Sequence, residues 1–157
     1  MPPHGTPKDR KHPAAASQAQ RPQLRETGMD ASAIPYREET LCFGPEARLI
    51  GTITLPTDRQ PQPGSQPGLI LLNAGMLPRV GPHRLNVELA RTAAAQGLTA
   101  IRFDLPGLGD SGFTSSRLSH EEQTRTAIED AMALLANTPF APDRFLIAGL
   151  CSGADAG

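Results

Sequence analysis

The chain has 157 residues, which suits one domain or one domain with a tail. Lys and Arg total 15 against 16 for Asp and Glu, so the net charge is −1 and a polybasic nucleic-acid footprint is excluded as the main theme. No apolar run reaches the roughly 18 residues of a membrane span, two cysteines cannot build a disulfide scaffold, and the start lacks the apolar core of a signal peptide; a reducing, cytoplasmic setting without a membrane partner is the expectation.

Residues 1–36 contain Pro2, Pro3, Pro7, Pro13, Pro22 and Pro35 in an Ala/Gln/Ser background without Phe or Trp. Such a segment cannot bury enough apolar surface to offset its ordering entropy and is expected to be a disordered tail. Lys8, Arg10 and Lys11 within it read as a solvated charge cluster.

From residue 37 the pattern changes. Residues 38–43 and 48–55 predict two short strands joined by a turn at Gly44-Pro45, and the prolines of 56–67 predict a loop. The continuous apolar run 68–74 suits a strand buried on both faces. A helix follows over 84–96, with Leu85, Leu89 and Ala93 as one stripe, Pro82 near its start and Gly97 past its end.

Residues 98–103 predict another strand and 104–116 a glycine-rich loop. Ser119 and Glu122 have the spacing of a capping box, opening a helix to about Asn137 with Ala127, Ala131, Leu134 and Leu135 inward. Residues 144–150 are a further apolar run. Strand and helix in alternation imply parallel pairing through right-handed crossovers, with the two leading strands as an antiparallel hairpin at one side. The fold class is therefore α/β, with five strands visible.

The last strand runs directly into Gly149-Leu150-Cys151-Ser152-Gly153, the spacing of a strand-to-helix turn that thrusts its central side chain above a sheet. Glycines two before and two after such a residue give room beside the neighbouring strand and helix. A sulfur at a helix N-terminus is favoured as thiolate, below the ordinary thiol pKa of about 8.5. Cys151 is thus the candidate nucleophile, and the Ser152 N–H would face a developing oxyanion. The plainer alternatives are a buried structural Cys151, or Ser152 as nucleophile one position out of register with the glycines. Cys42 has no motif around it and is expected in the core.

These residues resemble the α/β-hydrolase superfamily over residues 38–157. Besides the turn at Cys151, Asp104-Leu105-Pro106-Gly107-Leu108-Gly109-Asp110-Ser111 is similar to the family's D-x-x-G-x-G-x-S loop after the fourth strand. Asn73-Ala74-Gly75-Met76 corresponds to the loop after the third strand, where the family usually has His-Gly. The resemblance implies the Met76 N–H as second oxyanion donor. Arg79-Val80-Gly81-Pro82-His83-Arg84, taken with Gly149-Leu150-Cys151, further resembles the cysteine-elbow hydrolases associated with exosortase systems; dienelactone hydrolase shares the elbow Cys but resembles the rest less.

In the superfamily the acid and histidine follow the nucleophile, whereas His4, His12, His83 and His120 all precede Cys151. His83 reads as a surface or cap residue rather than a base, and Asp155 is not assigned as the acid. The resemblance therefore implies that 37–157 is an incomplete hydrolase domain ending just after the nucleophile turn, inactive by itself and poorly soluble through a bare fifth strand. The whole protein would act on a small-molecule acyl substrate (ester, thioester or lactone) through Cys151, with no cofactor and no metal. The alternative is a non-catalytic α/β-hydrolase-like binding or scaffold protein.

Gly107-Leu108-Gly109-Asp110-Ser111-Gly112 also fits the dinucleotide fingerprint G-x-G-x-x-G. A true fingerprint follows its strand directly and opens a helix. Here three residues intervene and the next cap is Ser119, so nucleotide binding is not expected.

Overall fold

A computed structural model describes residues 34–58, 60, 62–64, 66–113 and 117–150. The expected tail therefore lies outside the described residues up to position 33, as do Cys151, Ser152, Gly153 and Asp155. Strands β1 (Tyr36–Phe43), β2 (Leu49–Pro56), β3 (Gly68–Leu71), β4 (Thr99–Phe103) and β5 (Phe145–Ala148) form one sheet in the order β1-β2-β4-β3-β5. Helix α1 (Leu85–Ala95) connects β3 to β4, and α2 (His120–Ala136) connects β4 to β5.

β1 pairs antiparallel with β2 from Tyr36↔Pro56 to Phe43↔Leu49, through a 3-10 turn at Pro45–Ala47, so the expected hairpin forms at one edge. β2 pairs antiparallel with β4. β3 pairs parallel with β4 (Ile70↔Ile101) and with β5 (Ile70↔Ile147), the arrangement that the strand–helix alternation implied.

Alternate residues of the central strands serve different helices. Ile70, Leu72, Ile101 and Phe103 join Ala127, Ile128, Ala131 and Leu135 of α2 in the larger core, whereas Leu71 and Ala100 pack with Ala90 of α1. Since successive strand side chains point to opposite faces, the two helices cover opposite sides of the sheet. Phe43 meets Phe103 edge-to-face in the larger core, with ring centroids 5.5 Å apart. Each large aliphatic or aromatic side chain fully buried there contributes about 1.5–3 kcal/mol.

The buried face of α1 differs from expectation. Leu85 and Leu89 are exposed, and the helix buries Asn86, Val87, Ala90 and Ala94 instead. A stripe of small residues lets the helix axis approach the sheet, and the Asn86 side chain donates to the Leu72 carbonyl at 3.2 Å, which fixes the rotation. Cys42 is likewise exposed, not in the core. It falls between Leu41 and Phe43, which turn toward the core, so strand alternation sends its thiol to the other side of an edge strand.

α2 forms as its sequence predicts. Ser119 Oγ accepts from the Glu122 N–H at 3.2 Å and Glu122 returns the bond to the Ser119 N–H at 2.7 Å. Across the sheet, Glu38 of β1 accepts from Arg91 of α1 at 2.7 Å and from Arg102 of β4 at 3.1 Å, tying the hairpin to both. Burial disfavours the Glu38 charge, but the two guanidinium groups outweigh it and hold its pKa below the usual value. Among the described residues β5 is an edge, with Leu146 and Ile147 exposed.

Candidate active site

β3, β4 and β5 run parallel and end side by side, with Leu71 opposite both Arg102 and Ala148. The Leu72 N–H donates to the Ala148 carbonyl at 2.9 Å, so the end of β5 stays paired to the beginning of the loop after β3. Ligands of open α/β sheets bind beyond the carboxyl ends of the strands. Three segments meet that place: 72–84 after β3, 104–113 after β4, and the one that leaves β5 through Gly149 and bends at Leu150. In the sequence, Cys151 follows this bend directly and lies outside the described residues.

In the first loop, Gly75 adopts φ +59° and the Leu77 N–H closes a turn onto the Ala74 carbonyl at 3.2 Å. Met76 sits at the apex and is 81% exposed. Among the described residues no acceptor takes the Met76 N–H. Asn73, in the position where the resemblance expected His, is buried and fully used. Its Nδ2 donates to the Leu77 carbonyl at 2.8 Å and to Asp104 Oδ1 at 3.1 Å, while its Oδ1 accepts from the Leu105 N–H at 2.8 Å.

Asp104, the first residue past β4, is completely buried and is the hub of the region. Its Oδ1 also accepts from the Arg79 N–H at 2.6 Å; its Oδ2 accepts from Arg79 Nη1 at 2.6 Å and from the Asp110 N–H at 3.2 Å. The same Arg79 nitrogen reaches Asp110 Oδ2 at 2.7 Å. Burial works against the Arg79 charge, but the hydrogen bonds to Asp110 and Asp104 outweigh it and raise its pKa above the ordinary guanidinium value.

The loop motif is explained by this hub. Gly109 has φ +51°, and a Cβ there would collide with the Asp104 carboxylate, so the second glycine of the motif is what admits Asp104 to the cluster. Gly107 (φ +76°) lies under the Phe113 ring, 2.8 Å from where a Cβ would stand. Ser111 Oγ donates to the Asp104 carbonyl at 2.6 Å and accepts from the Ile50 N–H at 2.9 Å, which binds the loop to β2. The N–H groups of Gly107, Leu108, Asp110, Ser111 and Gly112 are all engaged inside the protein. A phosphate-binding nest needs such groups pointing outward, and the next helix opens at Ser119, so this glycine pattern is a packing device.

His83 and Arg84 lie between the loop and α1, exposed and with left-handed φ of +48° and +64°. His120 is exposed in the first turn of α2. A cavity of about 300 Å³ lies on the α2 side of the sheet, between Arg48, Leu49, Leu118, Ala127 and Asp130; neither the loop after β3 nor β5 lines it. Among the described residues no group of His, Cys, Asp and Glu is arranged to hold a metal ion, and no helix is long and apolar enough to cross a membrane.

The site residues divide accordingly. Met76 and Gly149 lie on two of the loops that converge at the strand ends, whereas Cys151, Ser152 and Gly153 fall outside the described residues. Sequence reasoning missed Arg79 and the hub role of Asp104. Asp104 was visible only as a motif letter, and nothing local marks Arg79 as its partner.

No protein-family model matches the chain, and no curated protein matches it. Solved structures do. An α/β hydrolase, GrgF, from Penicillium sp. sh18 aligns with a TM-score of 0.53 at 19% identity, covering 78% of this chain and 39% of that one. A dienelactone hydrolase-like promiscuous phosphotriesterase from metagenomic libraries aligns at 0.53 and 19%, covering 74% and 50%. The acetyl xylan esterase from Paenibacillus sp. R4 aligns at 0.54 and 16%, covering 76% and 47%. The chain has the α/β-hydrolase fold, and it spans half or less of the length of these structures.

Proposed function

We propose that the whole protein hydrolyses an acyl substrate through Cys151, in the manner of the cysteine-elbow members of the α/β hydrolases. What supports this reading is that the sequence Gly149-Leu150-Cys151-Ser152-Gly153 follows directly on β5, whose end is hydrogen-bonded to the start of the loop that presents Met76.

In this mechanism the Cys151 thiolate attacks the carbonyl carbon of an ester, thioester or lactone. The carbonyl oxygen takes the negative charge and is met by the N–H groups of Met76 and Ser152, each worth about 3 kcal/mol of transition-state stabilisation. The tetrahedral adduct expels the alcohol or thiol, which receives the proton that Cys151 gave up. Water then attacks the acyl-cysteine, releasing the acid and restoring the thiol. The proton carrier in this scheme is a histidine, as the resemblance implies; His83 and His120 themselves stand exposed on a turn and a helix start. Thiolate is a good leaving group, so Cys at this position favours activated acyl groups, thioesters above simple esters. No cofactor or metal takes part in this scheme, and the partner is a small acyl molecule.

The test is alkylation by iodoacetamide as a function of pH, read peptide by peptide. Cys151 should be modified with an apparent pKa below about 8, with the exposed Cys42 as internal reference. Equal titration of both cysteines, or an inert Cys151, would refute the nucleophile and leave the non-catalytic scaffold reading.

A further inference from the structure

We propose that Arg79 is a positioning residue, clamping the loop after β3 so that the Met76 N–H is held toward the reacting carbonyl. The proposal rests on the oxyanion reading of Met76 given above. Met76 lies midway between Asn73 and Arg79, and both of these bind the same carboxylate. Asn73 Nδ2 reaches Asp104 Oδ1 at 3.1 Å, and the Arg79 N–H reaches the same oxygen at 2.6 Å. The two ends of the arc that carries Met76 are therefore pinned to one atom at the rigid end of β4.

Arg79 adds a second grip. Its guanidinium holds Asp104 Oδ2 at 2.6 Å and bridges to Asp110 at 2.7 Å, so it joins the loop after β3 to the loop after β4. Asn73 also caps the Leu77 carbonyl at 2.8 Å, immediately past Met76. Two protein loops thus share a single buried anion and a single cation that neutralises it. Arg79 itself turns inward, its side chain only 16% exposed, while Met76 faces out. Its effect on chemistry runs through the backbone. A preorganised donor costs no rearrangement when charge develops, and a donor that wanders by an ångström loses most of its effect.

The experiment uses Arg79→Met and Arg79→Lys in the full-length protein. Amide hydrogen exchange is followed at Leu77, Arg79 and Gly81, whose N–H groups are bonded to Ala74, Asp104 and Pro78. Arg79→Met should speed exchange there by about tenfold or more through local opening, with a rise at the α2 and β4 amides no larger than the loss of global stability accounts for; Arg79→Lys should recover part of the protection. With a thioester substrate, Arg79→Met should lower kcat by about 10–100-fold at nearly unchanged KM, less than the roughly 10²–10³-fold loss of a whole oxyanion donor. Unchanged exchange at these amides overturns the clamp whatever the activity, as does a rise there that occurs only through global unfolding, or a change confined to KM. Absence of turnover in the wild type, or turnover that survives Cys151→Ala, refutes the acyl-transfer reading instead and leaves the exchange result to decide the clamp.

Discussion

Replacing Asp104 by Asn keeps the size and shape of the side chain but removes its charge and converts one acceptor oxygen into a donor. The structure gives each oxygen two donors: Asn73 Nδ2 and the Arg79 N–H on one, Arg79 Nη1 and the Asp110 N–H on the other. Whichever way the amide turns, two donors face a donor. The loss also leaves Arg79 facing only the exposed Asp110 carboxylate. Breaking a buried pair by removing one partner costs about 3–5 kcal/mol. With a urea m-value of about 2 kcal/mol/M, that is a fall of roughly 2 M in the unfolding midpoint. Arg79→Met should cost a similar amount, because it strands the buried carboxylate. The double variant should cost less than the sum of the two by at least about 1.5 kcal/mol, since the second substitution no longer orphans a charge. Urea titration of the wild type, both single variants and the double variant measures this. Additivity within about 0.5 kcal/mol, or single effects under 1 kcal/mol, would show that the hub is not a coupled unit.

Gly109→Ala should destabilise by about 1–3 kcal/mol or more, because it adds left-handed strain and drives a Cβ into Asp104; thermal unfolding reports it. On α1, Ala90→Leu should cost about 1–3 kcal/mol by overpacking the sheet-facing side, whereas Leu89→Ala should stay within roughly 0.5 kcal/mol; the reverse order would restore the stripe that the sequence suggested. Ser119→Ala should cost about 1 kcal/mol through loss of the α2 cap. Glu38 binds its proton less readily in the folded state than in the unfolded chain, so its contribution is full above the unfolded pKa of about 4.3 and is lost as pH falls through the lower folded value. Glu38→Gln should therefore flatten the stability–pH curve in that acid range, and an unchanged slope would discount the Arg91 and Arg102 contacts.

Much of this protein is legible from local pattern. The hairpin, the strand–helix alternation and the capping box at Ser119 depend on residues within a few positions of one another, and all three are present. Periodicity could not choose between two apolar faces of α1, because the choice depends on how near the helix comes to the sheet. Ala90 and Ala94 permit the close approach, and Leu85 and Leu89 are left in solvent. Cys42 was misplaced for a related reason: an edge strand has one face only partly covered, and sequence does not say how far a helix on the other side extends.

The site divides in the same way. The glycine spacing of 107–112 marked a loop with special backbone, yet two unrelated uses of such glycines, cradling a phosphate or admitting a carboxylate, share one pattern. Burial of Asp104 decided between them. Its partner Arg79 lies 25 positions earlier in the chain, on a different loop. A charge can be buried only where another is brought to meet it, and that meeting is fixed by the register of β3 against β4, which no window of sequence contains.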